Sequence, residues 1–503
     1  MVSRVRSVLG VEMPVRTLFE ASTVAELAPY LSGDELVHPA LVSQDRSSRL
    51  PLSPAQFRLW FLHTLEGPSA TYNIPLALRL EGELNLEALA QALRDVVSRH
   101  ESLRTVFGEA DGEPYQQVVP VDEARVELLV ETIAESSLAE RLSQASLLAM
   151  DLEGALPFRV WVFELSSQCH VMLILMHHIA SDGWSLGPLF QDVSLAYAAR
   201  LEGLEPSYES LLVQYGDYTL WQRELLGEAS EPQSLLSKQL GYWCETLAGL
   251  PEELALPWDR PRPSVSSYAG GELRFELSVE LHAGIRRLAQ SSGATVFIVL
   301  QAELAALLSR LGAGEDIAIG TPIAGRGESG LEGLVGFFVN TLVLRTDVSG
   351  NPRFEELLGR VQGRGLEAYE HADVPFERVV EALNPERSLS RHPLFQVMLV
   401  LQNTPEVTVE LPGLSVSAEA LEGRMSKFDL TLSLHERLGV GGEALGLAGS
   451  LAYTTDLFNR ETAHQLVVRF ERLLASAVAS PELPLHRLGA LGRGASSGLR
   501  GVQ

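Results

Sequence analysis

A proline-rich stretch, LPWDRPRPS at 256–264, is the feature that most limits what this chain can fold into. Each proline fixes φ and removes a backbone donor, so three of them in nine residues stop any helix or strand that enters. At 503 residues the chain also exceeds the size at which a single hydrophobic core usually stops growing. The break therefore divides the body into two lobes, 50–258 and 259–490, each of ordinary domain size.

Helical and strand periods alternate on both sides of it. LEALAQALRDVVSRH at 86–100 has the spacing of an amphipathic helix, PFRVWVFEL at 157–165 alternates as a strand does, and VMLILM at 171–176 reads as a fully buried strand. LHAGIRRLAQ, TVFIVLQAELAALLSRLG and IAIGTPIAG resume both patterns past the prolines. The expected fold class is mixed α/β (α+β). With 46% hydrophobic residues the chain has enough apolar surface to fold. With 39 basic against 65 acidic residues its net charge of -26 repels a phosphate backbone, so nucleic acid is not an expected partner. Cys169 and Cys244 offer at most one disulfide and no metal framework, and reduced thiols are expected. MVSRVRSVLG is too charged for a signal peptide, and no uncharged apolar run is long enough to span a membrane. The reading is cytoplasmic, with no membrane partner.

The first 32 residues stand apart. Val5, Val8 and Leu9, then Leu18 and Phe19, then Val24 and Leu27 recur at helical spacing, with Pro14 and Thr23 as start signals, which predicts three short helices. Such helices cannot build a core alone, so the segment reads as a fragment of something larger. Residues 33–49 have a linker's composition, and 491–503, rich in Gly and Ser, a disordered tail's.

The chemistry concentrates at His177, His178, Ile179, Ala180, Ser181, Asp182 and Gly183, directly after the buried strand and directly before WSLGPLFQDVSLAYAARL. In that helix Leu186, Leu189, Phe190, Val193 and Tyr197 share one stripe. The motif therefore occupies a strand-to-helix turn, beside the positive end of a helix. Neighbouring side chains on a strand face opposite ways, so one histidine works and the other supports it. The same geometry weighs against a metal site, because adjacent histidines rarely close on one ion. Asp182 is placed to cap the following helix or to hold a base.

This string resembles the HHxxxDG signature of nonribosomal peptide synthetase condensation domains and of the wider chloramphenicol acetyltransferase-like acyltransferases. Further motifs follow in the family's order: SPAQFRLWFL at 53–62, RHESLRTVF at 99–107, YGDYTLWQ at 215–222, IGTPIAGR at 319–326, VGFFVNTLVLR at 335–345, HADVPFERVVE at 371–381 and RHPLFQVMLVLQN at 391–403. Residues 1–32 resemble the last helices of a peptidyl carrier domain without its phosphopantetheine-bearing LGGxS motif, which is expected upstream of Val2.

The resemblance implies two acetyltransferase-like lobes in a V, with a tunnel between them and a carrier docking at each mouth. The implied reaction is attack of an acceptor α-amine on a donor thioester, both tethered to phosphopantetheine arms of neighbouring peptidyl carrier domains. The domain itself needs no cofactor, and an adenylation domain is expected downstream. His178 is the implied catalytic residue, either accepting a proton from the amine or orienting it. Backbone N–H groups at Gly183 and Trp184 are placed for an oxyanion. His177 supports, and Asp182 is structural with Arg326 as its expected partner. Epimerisation domains share the histidine pair, but the intact SPAQFRLW and HPLFQVML favour condensation. Noncatalytic recruitment modules of the same fold usually lose the second histidine, which this chain keeps as His178. With too few residues between the carrier-like segment and Ser53 for an intervening epimerase, the expected donor is L-configured, although LLGEASEPQSLLSKQL at 225–240 also resembles domains that accept D-donors.

Overall fold

The computed structural model describes residues 39–489 except 387, 403–408 and 422–424, and before them 5, 9, 11, 13, 15–21 and 23–32. Of the expected N-terminal helices, the second and third are present as Val15–Glu20 and Val24–Leu27. Thr23 starts the latter with a reciprocal capping box to Glu26. The first helix around Val8, the start signal Pro14, linker residues 33–38 and the tail at 491–503 lie outside the described residues. The visible part of the linker is held along the first lobe: Trp221 Nε1 donates to the Pro39 carbonyl at 2.6 Å, and Arg46 pairs with Glu101 and Asp217.

Strands β1 (Leu50–Pro51), β2 (Asn73–Glu81), β3 (Thr105–Ala110), β4 (Glu113–Val118), β5 (Leu128–Thr132), β6 (Phe158–Ser166) and β7 (Cys169–His177) belong to the first half. The second half contributes β8 (Gly270–Leu277), β9 (Asp316–Ile323), β10 (Asn340–Asp347), β11 (Val397–Gln402), β12 (Ser415–Ala418), β13 (Leu430–Leu438) and β14 (Ala444–Thr454). One sheet runs β12-β2-β7-β6-β5 and another β10-β9-β11-β13-β14-β8, with β1-β4-β3 as a small third.

The near-continuous apolar run of β7 suits its place, flanked by β2 and β6 and buried on both faces from His170 to His177. On one face lie the helices Leu86–Arg99, through Leu89, Leu93 and Val96, and Leu186–Leu201, through Leu189, Phe190, Val193 and Tyr197. The expected stripe on the second helix is buried except for Leu186, which is half-exposed at its first turn. β12 departs from a simple two-half partition: it leaves the second half and pairs antiparallel with β2, Val416 opposite Leu80, extending the first lobe's sheet.

The second lobe closes around the helix Val296–Leu308, buried throughout from Ile298 to Leu308. By length and composition Val296–Ala313 would pass for a membrane span, with a mean hydropathy of 1.6, but its apolar surface is spent on the protein's own core. Within it Glu303 is fully buried, and neither carboxylate oxygen has a hydrogen-bond partner among the described residues. Burial raises its pKa well above the carboxylate range, and Arg310 opposes this only in part.

The folded state thus keeps the Glu303 proton to higher pH than the unfolded chain does, so stability falls as pH rises above about 4.3, the free value. Glu303→Met, of similar volume, is expected to be more stable at pH 8 by about 1–3 kcal/mol, with a smaller gain at pH 5. Thermal unfolding at both pH values checks this, and a destabilised Met variant at pH 8 would contradict it.

Candidate active site

β7 ends at His177, and the next five residues turn the chain into a single 3-10 turn, Gly183–Ser185, that leads into Leu186–Leu201. The turn is defined locally: the His177 carbonyl accepts from Ala180 N at 3.0 Å and the His178 carbonyl from Ser181 N at 3.3 Å. It brings His177, His178, Asp182, Gly183 and Trp184 together, and Arg326 arrives from the other lobe.

The two histidines have different surroundings. His177 is 4% exposed, its Nδ1 accepts from Ile179 N at 3.1 Å, and its ring lies 6.3 Å from that of Tyr72. Burial, with Lys427 and His63 nearby, holds its pKa down at about 3. His178 is tethered by its backbone, N–H to the Tyr72 carbonyl at 2.8 Å, while its ring sits 5.8 Å from Phe337 of the second lobe. Burial first, then Lys427 and His177, pushes its pKa well below the ordinary value. Both rings are neutral at pH 7, so His178 is available as an acceptor of a hydrogen bond.

Asp182 is the most densely bonded side chain of the turn. It is 0% exposed. Oδ1 accepts from Ser185 N and Ser185 Oγ, both at 2.8 Å, and from Arg326 Nη2 at 3.3 Å. Oδ2 accepts from Phe338 N at 2.9 Å and Val339 N at 3.2 Å. One carboxylate therefore caps its own turn and receives a strand approach from the opposite lobe. Arg326 also donates to Ser185 Oγ at 2.8 Å and to the carbonyls of Leu331 at 2.6 Å and Leu334 at 2.8 Å, and lies over the Phe338 ring.

The residue before it must be glycine. Gly325 has φ +62°, and a Cβ there would meet the Phe338 carbonyl oxygen at 1.9 Å. Gly183 has the opposite freedom: it is exposed, and a Cβ on it would meet nothing within 4 Å. Its N–H and that of half-buried Trp184 make no hydrogen bond among the described residues, which leaves two backbone donors at the start of the turn without a protein acceptor there.

The remaining motifs assemble around this turn. From RHESLRTVF, Ser102 Oγ donates to the Val335 carbonyl at 2.7 Å, and His100, bonded to Asp192 at 2.8 Å, packs at the Val335 N–H. From YGDYTLWQ, Tyr215 OH donates to the Phe337 carbonyl at 2.7 Å. Arg58 of the opening motif reaches His392 Nε2 at 2.9 Å and Glu377 at 3.5 Å, so that SPAQFRLWFL, HADVPFERVVE and RHPLFQVMLV meet at one point. His371 by contrast stacks on Tyr242 at 3.8 Å, away from the turn, as packing.

A family model described as Condensation domain matches residues 46–496. The chain belongs to the condensation domain family. A probable nonribosomal peptide synthetase of Salinispora arenicola is 53% identical over 480 residues, 95% of this chain and 6% of that protein. A dimodular nonribosomal peptide synthase of Bacillus subtilis is 49% identical over 488 residues, 97% of this chain and 20% of that protein. The chain thus spans a small part of the length of either relative. Among solved structures, the X-domain from teicoplanin biosynthesis, in complex with OxyB, is similar with a TM-score of 0.85 at 36% identity, covering 91% of this chain and 99% of that one. The condensation domain has the chloramphenicol acetyltransferase-like fold that the motifs implied, and condensation domains of peptide synthetases form amide bonds between carrier-borne substrates.

Two groups in the condensation domain's site went unassigned from sequence. Arg58 lay in a recognised motif without a role, and its contacts join segments far apart in the chain. Lys427, in SKFDL, lies outside every motif, and nothing in its local pattern points to the histidines.

Removing Asp182 strands the N–H groups of Phe338 and Val339 as well as the Arg326 charge. Asp182→Ala is expected to cost about 3–5 kcal/mol, and a double-mutant cycle with Arg326→Met is expected to show strong coupling. Chemical denaturation of the four proteins checks this, and additive losses would contradict it.

Proposed function

We propose that this chain forms a peptide bond by passing a donor acyl group from an upstream carrier's phosphopantetheine thioester to the α-amine of an acceptor on a downstream carrier. The observation that carries the reading is His178, neutral and held at the lobe junction on the same turn as the N–H groups of Gly183 and Trp184, which have no hydrogen-bond partner among the described residues. A neutral imidazole accepts a hydrogen bond from the attacking amine and orients its lone pair to the thioester carbon. The two N–H groups receive the oxyanion. His177 and Asp182 with Arg326 hold the turn in that arrangement. Substrates arrive covalently on the carriers' arms, so the domain's own residues supply position and polarity, and the thioester supplies the driving force.

Residues 1–32 are, on this reading, the end of the upstream carrier, with an adenylation domain in the downstream partner. The donor is an L-configured aminoacyl or peptidyl group.

A noncatalytic recruitment role is the second reading, favoured by the 36% identity to an X-domain solved with OxyB. Retention of His178 on the turn that carries these donors supports the catalytic reading over it.

Intact-protein mass spectrometry of both carriers, loaded with a panel of matched L- and D-aminoacyl groups, tests the proposal. The acyl mass is expected to move from donor to acceptor carrier only with the domain present, and with L-donors preferred. His178→Ala is expected to slow transfer by roughly 10²–10⁴-fold while leaving thermal unfolding unchanged. No transfer by the wild-type domain with any pair, or an undiminished rate in the variant, would overturn the catalytic reading, and preference for D-donors would overturn the stereochemical one.

A further inference from the structure

Lys427 is a cation of the site that the proposed chemistry has not used and, unlike Arg58, has no acidic partner among the described residues. Lys427 lies just before β13, on a segment fixed to the second lobe: Ser426 N donates to the Tyr268 carbonyl at 2.8 Å, and Ser426 Oγ to the Phe428 carbonyl at 2.7 Å. The Phe428 ring stacks on Phe395 at 5.3 Å and meets His392 at 4.8 Å. From this anchored backbone the side chain crosses the lobe junction and sets Nζ 4.5 Å from the centre of the Tyr72 ring. Tyr72 is also the residue whose carbonyl receives the His178 N–H and whose ring lies beside His177. One tyrosine is thus the common neighbour of the lysine and both histidines.

The groups around Lys427 are of one sign or none. Arg58, His177, His178 and His392 all interact with its charge, while Glu377 is engaged by Arg58 and Asp429 by Arg262. Lys427 itself makes no hydrogen bond or ion pair with any described residue, and burial together with Arg58 lowers its pKa to about 7. Lys427 is half-buried, and a partly desolvated cation beside another cation gains when an anion or a strong acceptor enters. The cation π contact with Tyr72 offsets only part of that desolvation. In the proposed acyl transfer the first negative charge to develop is on the thioester carbonyl oxygen.

We propose that Lys427 is a second catalytic residue, which binds the donor's carbonyl oxygen and stabilises the negative charge it acquires in the tetrahedral intermediate. This rests on the acyl-transfer reading of the same site. As the amine nitrogen bonds to the carbonyl carbon, the carbonyl π pair moves onto oxygen, facing the Lys427 ammonium and the N–H groups at Gly183 and Trp184. When the pair returns, the C–S bond breaks, and the sulfur leaves with the bonding electrons. The proton lost by the amine reaches that sulfur by way of His178, giving amide and free thiol. The arrangement gives the intermediate one donor set from each lobe, so the site is complete only with both lobes in place.

Lys427→Met keeps the side chain's length and removes its charge. Single-turnover transfer between the same loaded carriers is expected to slow by roughly 10²–10³-fold, with carrier concentration dependence and thermal unfolding little changed. A fixed lobe latch would behave otherwise, losing thermal stability in step with rate. Lys427→Cys treated with 2-bromoethylamine restores an ammonium at the same reach and is expected to recover much of the rate, with identically treated wild-type protein as the control for Cys169 and Cys244. A Met variant within about threefold of wild type, or an aminoethylated Cys variant as slow as the Met variant, would overturn the inference while wild-type transfer leaves the function standing. A wild-type domain that transfers nothing would overturn both.

Discussion

The structure depends on one carboxylate. Asp182 is sealed from solvent between the lobes, where an ionised side chain is tolerated only if its oxygens are fully engaged, and five donors engage them. Two belong to Ser185 in its own turn, and three, on Arg326, Phe338 and Val339, come from the second lobe. The requirement to satisfy this group ties the end of β7 to the second lobe, and the backbone geometry of His178, Gly183 and Trp184 follows. A weaker cap, satisfied within its own helix, would leave the lobes free to pivot about the prolines between them.

The segment 335–339 shows why widely separated motifs go together. Its backbone is strapped at successive residues: Val335 by Ser102, Gly336 by Ser185, Phe337 by Tyr215, and Phe338 and Val339 by Asp182. The straps come from three separate segments of the first lobe, around residues 102, 182–185 and 215. These residues act on the substrate only through the turn they immobilise. On the other side of the junction two cationic side chains, Arg58 and Lys427, sit beside Tyr72 and a neutral His392 in a chain whose net charge is -26, a local arrangement that the overall composition conceals.

Much of this was legible from residue spacing. The apolar run 171–176 and the stripe from Leu189 to Tyr197 placed a buried strand and a helix on either side of the motif, because local period reports local structure. The pairing of Asp182 with Arg326 came from the family resemblance, and the two side chains lie 3.3 Å apart. What spacing does not encode is partnership across the fold. The return of β12 to the first lobe is invisible because SVSA is too short and too polar to show a period, and its pairing is set by where the preceding chain delivers it. Lys427 was missed for a similar reason: a lysine ahead of a strand reads as a solvated charge, and only the packing of Phe428 against Phe395 turns it toward Tyr72.

The account rests on the lobes sharing one cooperative clamp, and hydrogen–deuterium exchange measured by mass spectrometry on Arg326→Met tests it most directly. If the clamp is shared, exchange rises together in peptides covering 177–186 of the first lobe and 335–340 of the second, although the substitution lies in neither. A rise confined to the loop around residue 326, with 177–186 as protected as in the wild type, would show that the turn carrying His178 is held by its own lobe alone and would contradict the account.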